Sequence, residues 1–365
     1  MKYLRTLKSA ARAALAVAFA GTALSVAAAA PINYEGGRVE LIVPFSPGGG
    51  ADTYARVVAP YLQKHLPGQP TILVRNIPGG GSVPGANQFE AKAKPDGYTA
   101  MAISSSTLFN SVLAKEKVHY KVGGWEPILL SPQGTVVYVS AKLGDVKSVK
   151  DIANLKKHKL LFGGKTPTSS EMRMVLAMEL LGVDVNYVWG VERGPARLAM
   201  ERGELTIGYD TTSAYMKNVA PLVKKGKFYP LFTFGLRDSK GKFVRDPNFP
   251  DLPSFVEVYE KVHGKKPSGP AFSAYTTVFQ MAIMCSKGIV LPHGTPQPIV
   301  DVWSKAVQAM LNDPQFQKTA SDIVGEYPQF LGEDVRPVLK EASDFTPEGW
   351  AWIKKFMKAH LNVNL

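Results

Sequence analysis

The sequence has only one cysteine, Cys285, among its 365 residues. No disulfide can form within the chain, and no cysteine stands near the N-terminus to carry a lipid. Cys285 lies in an apolar run, where a lone thiol serves as a small hydrophobe. Long hydrophobic runs are also missing after the first thirty residues, so no transmembrane helix is expected there. Phe279–Met284 is apolar but short, and reads as a buried strand or helix. The six histidines are scattered without metal-ligand spacing. Gly-x-Ser-x-Gly, His-Glu-x-x-His and Cys-x-x-Cys are all absent, so no catalysis, metal or cofactor is expected. Neither a P-loop nor Gly-x-Gly-x-x-Gly occurs, which disfavours nucleotide binding. No repeat of solenoid length is present.

The N-terminus carries Lys2, Arg5, Lys8 and Arg12 with no acid, then an apolar, alanine-rich run to Ala30. This order of charge, apolar stretch and small residues is that of a secretory signal peptide. Residues 1–29 are read as the leader, with cleavage after Ala29 and a periplasmic destination. The alternative, an uncleaved anchor, fits less well because the apolar stretch is short. The formal charge is +13, and removing the leader's four positive charges leaves +9. A basic excess attracts anions, but the lysines and arginines are not clustered with aromatics, so no nucleic acid partner is expected.

The remaining length suffices for two domains, each with its own core. Val39–Phe45, Thr71–Arg75 and Thr99–Ile103 read as strands, alternating with helical patterns over Ala51–His65 and Gly85–Ala93. Such units imply a parallel sheet covered by helices. Extended segments follow at Ile128–Leu130 and Val136–Val139. A second α/β series then runs from Leu160 to Phe234, with helices over Ser169–Leu181, Ala196–Arg202 and Ala214–Lys224. Residues 236–270 read as loop, and two helices are expected in the tail, from Pro296 to Leu311 and from Pro347 to His360.

Two glycine turns carry the chemistry. In Phe45-Ser46-Pro47-Gly48-Gly49-Gly50-Ala51-Asp52, a strand passes directly into a helix, and Pro78-Gly79-Gly80-Gly81 repeats the device one unit later. Glycine lets backbone N–H groups face a ligand closely, and a helix start adds unpaired N–H groups and a positive dipole end. Together they make an anion seat. In a parallel sheet both turns fall at the carboxyl edge, where ligands bind. A glycine turn also serves tight packing, so one alone is weak evidence and two in succession are stronger.

These turns lie among further short motifs: Ile42-Val43-Pro44-Phe45, Asp52 with Arg56, Asn76, Pro95-Asp96-Gly97-Tyr98-Thr99, Pro250-Asp251-Leu252-Pro253 with Glu257, Gly294-Thr295-Pro296 and Asp313-Pro314. In this combination the chain resembles the extracytoplasmic receptors of tripartite tricarboxylate transporters, the Bug family. The resemblance spans nearly all of the chain after the leader. It implies an α/β, two-lobed type II periplasmic binding protein, a "Venus flytrap" with one discontinuous lobe. Lobe 1 is expected over 30–130 plus 235–365 and lobe 2 over 131–234, closing by a hinge. The implied function is capture of a small organic carboxylate for the membrane subunits of such a transporter, with the chain a monomer. A ligand-presenting receptor for a sensor kinase and a secreted hydrolase are the alternatives.

The resemblance implies that Phe45, Gly48, Gly49, Gly50, Ala51, Asp52, Gly79, Gly80, Gly81 and Ser104 meet the ligand from lobe 1. From lobe 2 the candidates are Lys165, Thr168, Ser169 and Asp210. Thr168 or Ser169 equally reads as a helix cap, Lys165 as a solvated lysine, and Asp210 as a cap for the next helix. Two departures from the family bear on the ligand. Gly190-Val191-Glu192 stands where the family often has Tyr-Lys-Gly, and Ser82 where it often has another glycine.

Overall fold

The computed structural model describes residues 31–238 and 241–365, so the leader expected over 1–29 lies outside the described residues. Alternating apolar residues and a run of strand-to-helix turns build the first lobe. β1 (Arg38–Val43), β2 (Thr71–Asn76) and β3 (Thr99–Ser104) are parallel, with β1 between the other two. Between and after them come α1 (Gly50–His65), α2 (Val83–Lys92) and α3 (Ser105–Leu113). β4 (Glu126–Ser131) completes the run before the chain crosses over.

In the second lobe β5 (Thr135–Ser140) is followed by the parallel pair β6 (Leu160–Gly164) and β7 (Val185–Trp189), with α4 (Met172–Leu181) between these two. Next come α5 (Arg193–Arg202), β8 (Ile207–Thr211) and β9 (Phe228–Thr233); β5 is antiparallel to both β8 and β9. A short hairpin of β10 (Leu236–Arg237) and β11 (Phe243–Val244) leads back. β12 (Lys287–Leu291) then inserts between β3 and β4, and β13 (Phe330–Leu331) adds beyond β4. The six-stranded order β13-β4-β12-β3-β1-β2 makes the first lobe discontinuous, as a two-lobed binding protein requires.

Several elements depart from the sequence reading. The loop-rich stretch 236–270 contains a helix, Phe255–His263, started by a capping box in which Ser254 and Glu257 satisfy each other's backbone N–H. The helix expected over 214–224 is interrupted by a π turn at Tyr215–Val219. The apolar run near residue 280 belongs to a helix, Pro270–Met284, ending at Cys285. Burial pushes the Cys285 thiol up to about 12, so it is held as the unreactive thiol.

That helix also replaces the expectation of two separate cores. It is apolar on nearly every side, and it packs against α3 of the first lobe, α4 of the second and the final helix Pro347–Leu361. One apolar cluster therefore runs from Phe109 through Phe279 to Met174 and Phe232. Among the described residues no helix is long and apolar enough to cross a membrane.

The crossing from β4 to β5 is equally tight. A Cβ at Gly134 would lie 1.7 Å from Asp246 Oδ2 and 2.6 Å from the Tyr327 hydroxyl, and these two are buried and hydrogen-bonded to each other at 2.8 Å. Gly134→Ala is therefore expected to lower unfolding free energy by about 2–3 kcal/mol in urea titration. Unchanged stability would show that the Asp246–Tyr327 pair yields without cost.

Candidate functional site

The first glycine turn joins β1 to α1. The Gly48 N–H donates to Asp52 Oδ2 at 2.8 Å, and the Gly49 N–H to the Ser46 carbonyl at 3.3 Å. The next two amides, of Gly50 and Ala51, open α1 and meet no acceptor among the described residues. They lie in the lining of a small, partly open cavity of about 40 Å³ between the lobes. Of the residues predicted to meet ligand, Phe45, Gly49, Gly50, Ala51, Ser104, Lys165 and Asp210 line it.

The remaining predicted residues lie elsewhere. Gly48 turns its carbonyl to Arg197 Nη2. Asp52 is buried and braces the turn: besides Gly48 it accepts from Arg56 Nε and Asn76 Nδ2, each at 2.9 Å. Gly79, Gly80 and Gly81 do not line the cavity. They and Ser82 form four successive left-handed residues, and a Cβ at Gly81 would come within 3.1 Å of Thr166, Ser169 and Asn110. The second turn is thus pressed onto the opposite lobe. Thr168 Oγ donates to Asn110 Oδ1 at 2.9 Å, closing the lobes, while Ser169 Oγ bonds the Thr166 carbonyl at 2.7 Å and shapes its own loop.

The cavity's charges come largely from residues that the sequence did not single out. Lys165 pairs with Glu171 at 2.6 Å, and Arg197 with Asp210 at 2.7 Å. Burial tends to raise the Glu171 carboxyl, but Lys165 and Arg193 outweigh it and hold Glu171 below the usual range. Asp210 also accepts from the Tyr138 hydroxyl at 2.8 Å. Arg173, 1% exposed, crosses the cleft to Ser105 Oγ at 2.9 Å and bonds Thr135 Oγ1 at 2.8 Å. No carboxylate pairs with it among the described residues. Arg193 lies over the rings of Phe162 and Tyr209, which favours a cation there.

Lys287 opens β12 and is 2% exposed. Among the described residues its Nζ has only the Ser286 carbonyl and hydroxyl as hydrogen-bond partners, at 3.1 and 3.2 Å, and stands 3.5 Å from where a Gly50 Cβ would be. Burial first, then the facing cations Arg173 and Lys165, push its pKa well down, with Asp210 opposing. Thr211 Oγ1 also adjoins Gly50 and is buried without a partner. Two amides, a hydroxyl and an ammonium thus share one corner of the cavity. The sequence did carry a signal for part of the cavity's charge: Arg173 is a basic residue within the otherwise apolar run Met172–Met178.

Since Asp52 fixes the turn, Asp52→Ala should destabilise the fold by about 2–3 kcal/mol, because the Gly48 amide loses its acceptor. Urea unfolding of the variant measures this; wild-type stability would show that the turn holds its shape without the carboxylate.

The chain has relatives of known family. Residues 54–327 match the model for the tripartite tricarboxylate transporter family receptor. A UPF0065 protein of Bordetella bronchiseptica is 25% identical over 333 residues, covering 87% of this chain and 86% of its own. Among solved structures, that of the periplasmic binding protein BugD superposes with a TM-score of 0.69 at 23% identity, covering 90% of this chain and 98% of its own. An R. palustris protein with adipate gives 0.67 at 20% identity, with the same coverage. With three quarters of its length inside the family model and a two-lobed α/β fold, the chain belongs to the tripartite tricarboxylate transporter receptor family.

Proposed function

We propose that this chain is a periplasmic solute receptor that closes over a small organic carboxylate and presents it, without turnover, to the membrane subunits of a tripartite tricarboxylate transporter. The observation that carries the reading is the corner made by the Gly50 and Ala51 amides, Thr211 Oγ1 and Lys287 Nζ, all short of acceptors inside a cavity lined by four cations and two carboxylates. A buried ammonium without a counter-charge costs several kcal/mol, and an anionic guest removes that cost while accepting the free N–H groups. Charge-assisted hydrogen bonds contribute about 1.5–3 kcal/mol each, so three or four suffice for micromolar capture. The solved relative with adipate supports a carboxylate guest. The basic, apolar and small-residue order of residues 1–29 supports export. On this reading the lobes, 30–130 plus 235–365 and 131–234, hinge about the crossings near residues 131–134 and 234–235.

A thermal-shift screen of mono-, di- and tricarboxylates is expected to find an acid that raises Tm by about 4 °C at a hundredfold excess over its Kd. No shift with any of them would overturn the proposal. Lys287→Met should act with opposite signs on two measurements. The unliganded protein gains stability, because a buried amine, costly to bury whether charged or neutral, is replaced by an apolar side chain of similar length. Affinity for the acid falls about 10–150-fold with the loss of a charged partner.

Binding should also take up a proton. The bound anion raises Lys287 from its depressed value against Arg173 of α4 and Lys165 of the loop after β6, with Asp210 of β8 acting in the same direction as the anion. Affinity is then full below the pKa of the empty site, falls as pH rises from there to the pKa of the bound site, and levels off above it. Calorimetry in buffers of different ionisation heat reads the proton count; a count of zero at every pH would remove Lys287 from the account.

A further inference from the structure

The second glycine turn is not vacant. Glu192, contributed by the opposite lobe, lines the cavity; burial raises its carboxyl, and the nearby Gly79 N–H acts the other way, favouring the charged form. It is the residue immediately before α5, in extended conformation, and the two residues before it are pinned. Gly190 N–H donates to the Lys165 carbonyl at 3.0 Å and Val191 N–H to the Gly164 carbonyl at 2.9 Å. Glu192 is thereby fixed along the wall of the cavity, which it lines beside Lys165 and Arg193. A turn whose amides suit a carboxylate has one already, and it belongs to the chain.

We propose that Glu192 takes the place of a ligand's second carboxylate, so that the guest of this receptor is a short monocarboxylate whose one carboxylate sits at Gly50, Ala51, Thr211 and Lys287. The inference rests on the receptor reading above and narrows its ligand class. Two features of the cavity point the same way. Its free volume is small, about 40 Å³, which favours a compact guest. Glu192 also cuts the excess of cations around the cavity by one, and it repels any second anionic group brought to its end. A longer diacid meets a like charge there.

Titration calorimetry with acetate, lactate, malate, adipate and citrate tests the assignment on the chain lacking residues 1–29 and on its Glu192→Gly variant. The wild type is expected to bind acetate or lactate at least tenfold more tightly than any of the three larger acids. Glu192→Gly is expected to shift that ratio at least tenfold toward malate or adipate. Glu192→Gln keeps the shape of the side chain and removes its charge, and should move the ratio in the same direction should the glycine variant fail to fold. A wild type that prefers a di- or tricarboxylate, or a ratio unchanged by the substitution, overturns the role given to Glu192 while the receptor reading stands. If none of the five acids binds the wild type or a folded variant, the receptor reading falls with it.

Discussion

A buried amine holds its proton readily only beside a negative partner, and among the described residues Lys287 forms no ion pair. Its nearest polar neighbours are the carbonyl and hydroxyl of Ser286, and two further cations face it. Folding places this residue at the start of β12, the strand that the returning chain threads between β3 and β4. The first glycine turn supplies the rest of the imbalance. The Asp52 carboxylate takes the Gly48 amide and the Ser46 carbonyl the Gly49 amide, which leaves the Gly50 and Ala51 amides unpaired beside Lys287. A fold that brings donors together and leaves them without acceptors is built for an anion from outside.

The opposite lobe adds the Thr211 hydroxyl to the corner and otherwise completes the enclosure. Its charged residues are largely spoken for: Lys165 by Glu171, Arg197 by Asp210 and the Gly48 carbonyl, Arg193 by two backbone carbonyls and two rings. Arg173, Ser170 and Thr168 reach across to Ser105, Ser106 and Asn110. These bonds belong to the closed arrangement, and opening the cleft exchanges them for water. On the far side, helix Pro270–Met284 merges the cores of both lobes into one cluster, which concentrates any opening motion on the cleft side. Small differences in closure energy then translate into ligand-dependent shape.

Much of the architecture was legible in the sequence because burial leaves a period. Val39–Val43, Thr99–Ile103 and Val136–Val139 announced strands by apolar content, and the helix of Trp350, Ile353 and Met357 by its spacing. Boundaries moved by a residue or two where capping decided them. Helix Phe255–His263 was hidden by surrounding prolines, although Ser254 and Glu257 carried its start signal. The first glycine turn was readable because strand, glycines and helix follow one another directly. The cations of the cavity were not. Lys287, Arg173 and Arg193 come from distant parts of the chain, and a lysine looks the same in sequence whether it ends in water or beside two other charges. Asp52 was misplaced for the reverse reason: a carboxylate beside a ligand turn reads as a contact, and only the structure reveals that its oxygens are consumed by Gly48, Arg56 and Asn76. The change at Gly190-Val191-Glu192 was visible, but its meaning depended on the Gly79 amide some 110 residues away.

The central claim is that one corner of the cavity between the lobes holds the ligand's carboxylate. A crystal structure of the chain with its tightest-binding acid tests this most directly. The account predicts carboxylate oxygens within hydrogen-bond distance of the Gly50 and Ala51 amides and of Lys287 Nζ, with Glu192 still against Gly79. An acid seated on Gly79–Gly81 with Lys287 untouched, or found outside the cleft, would contradict it.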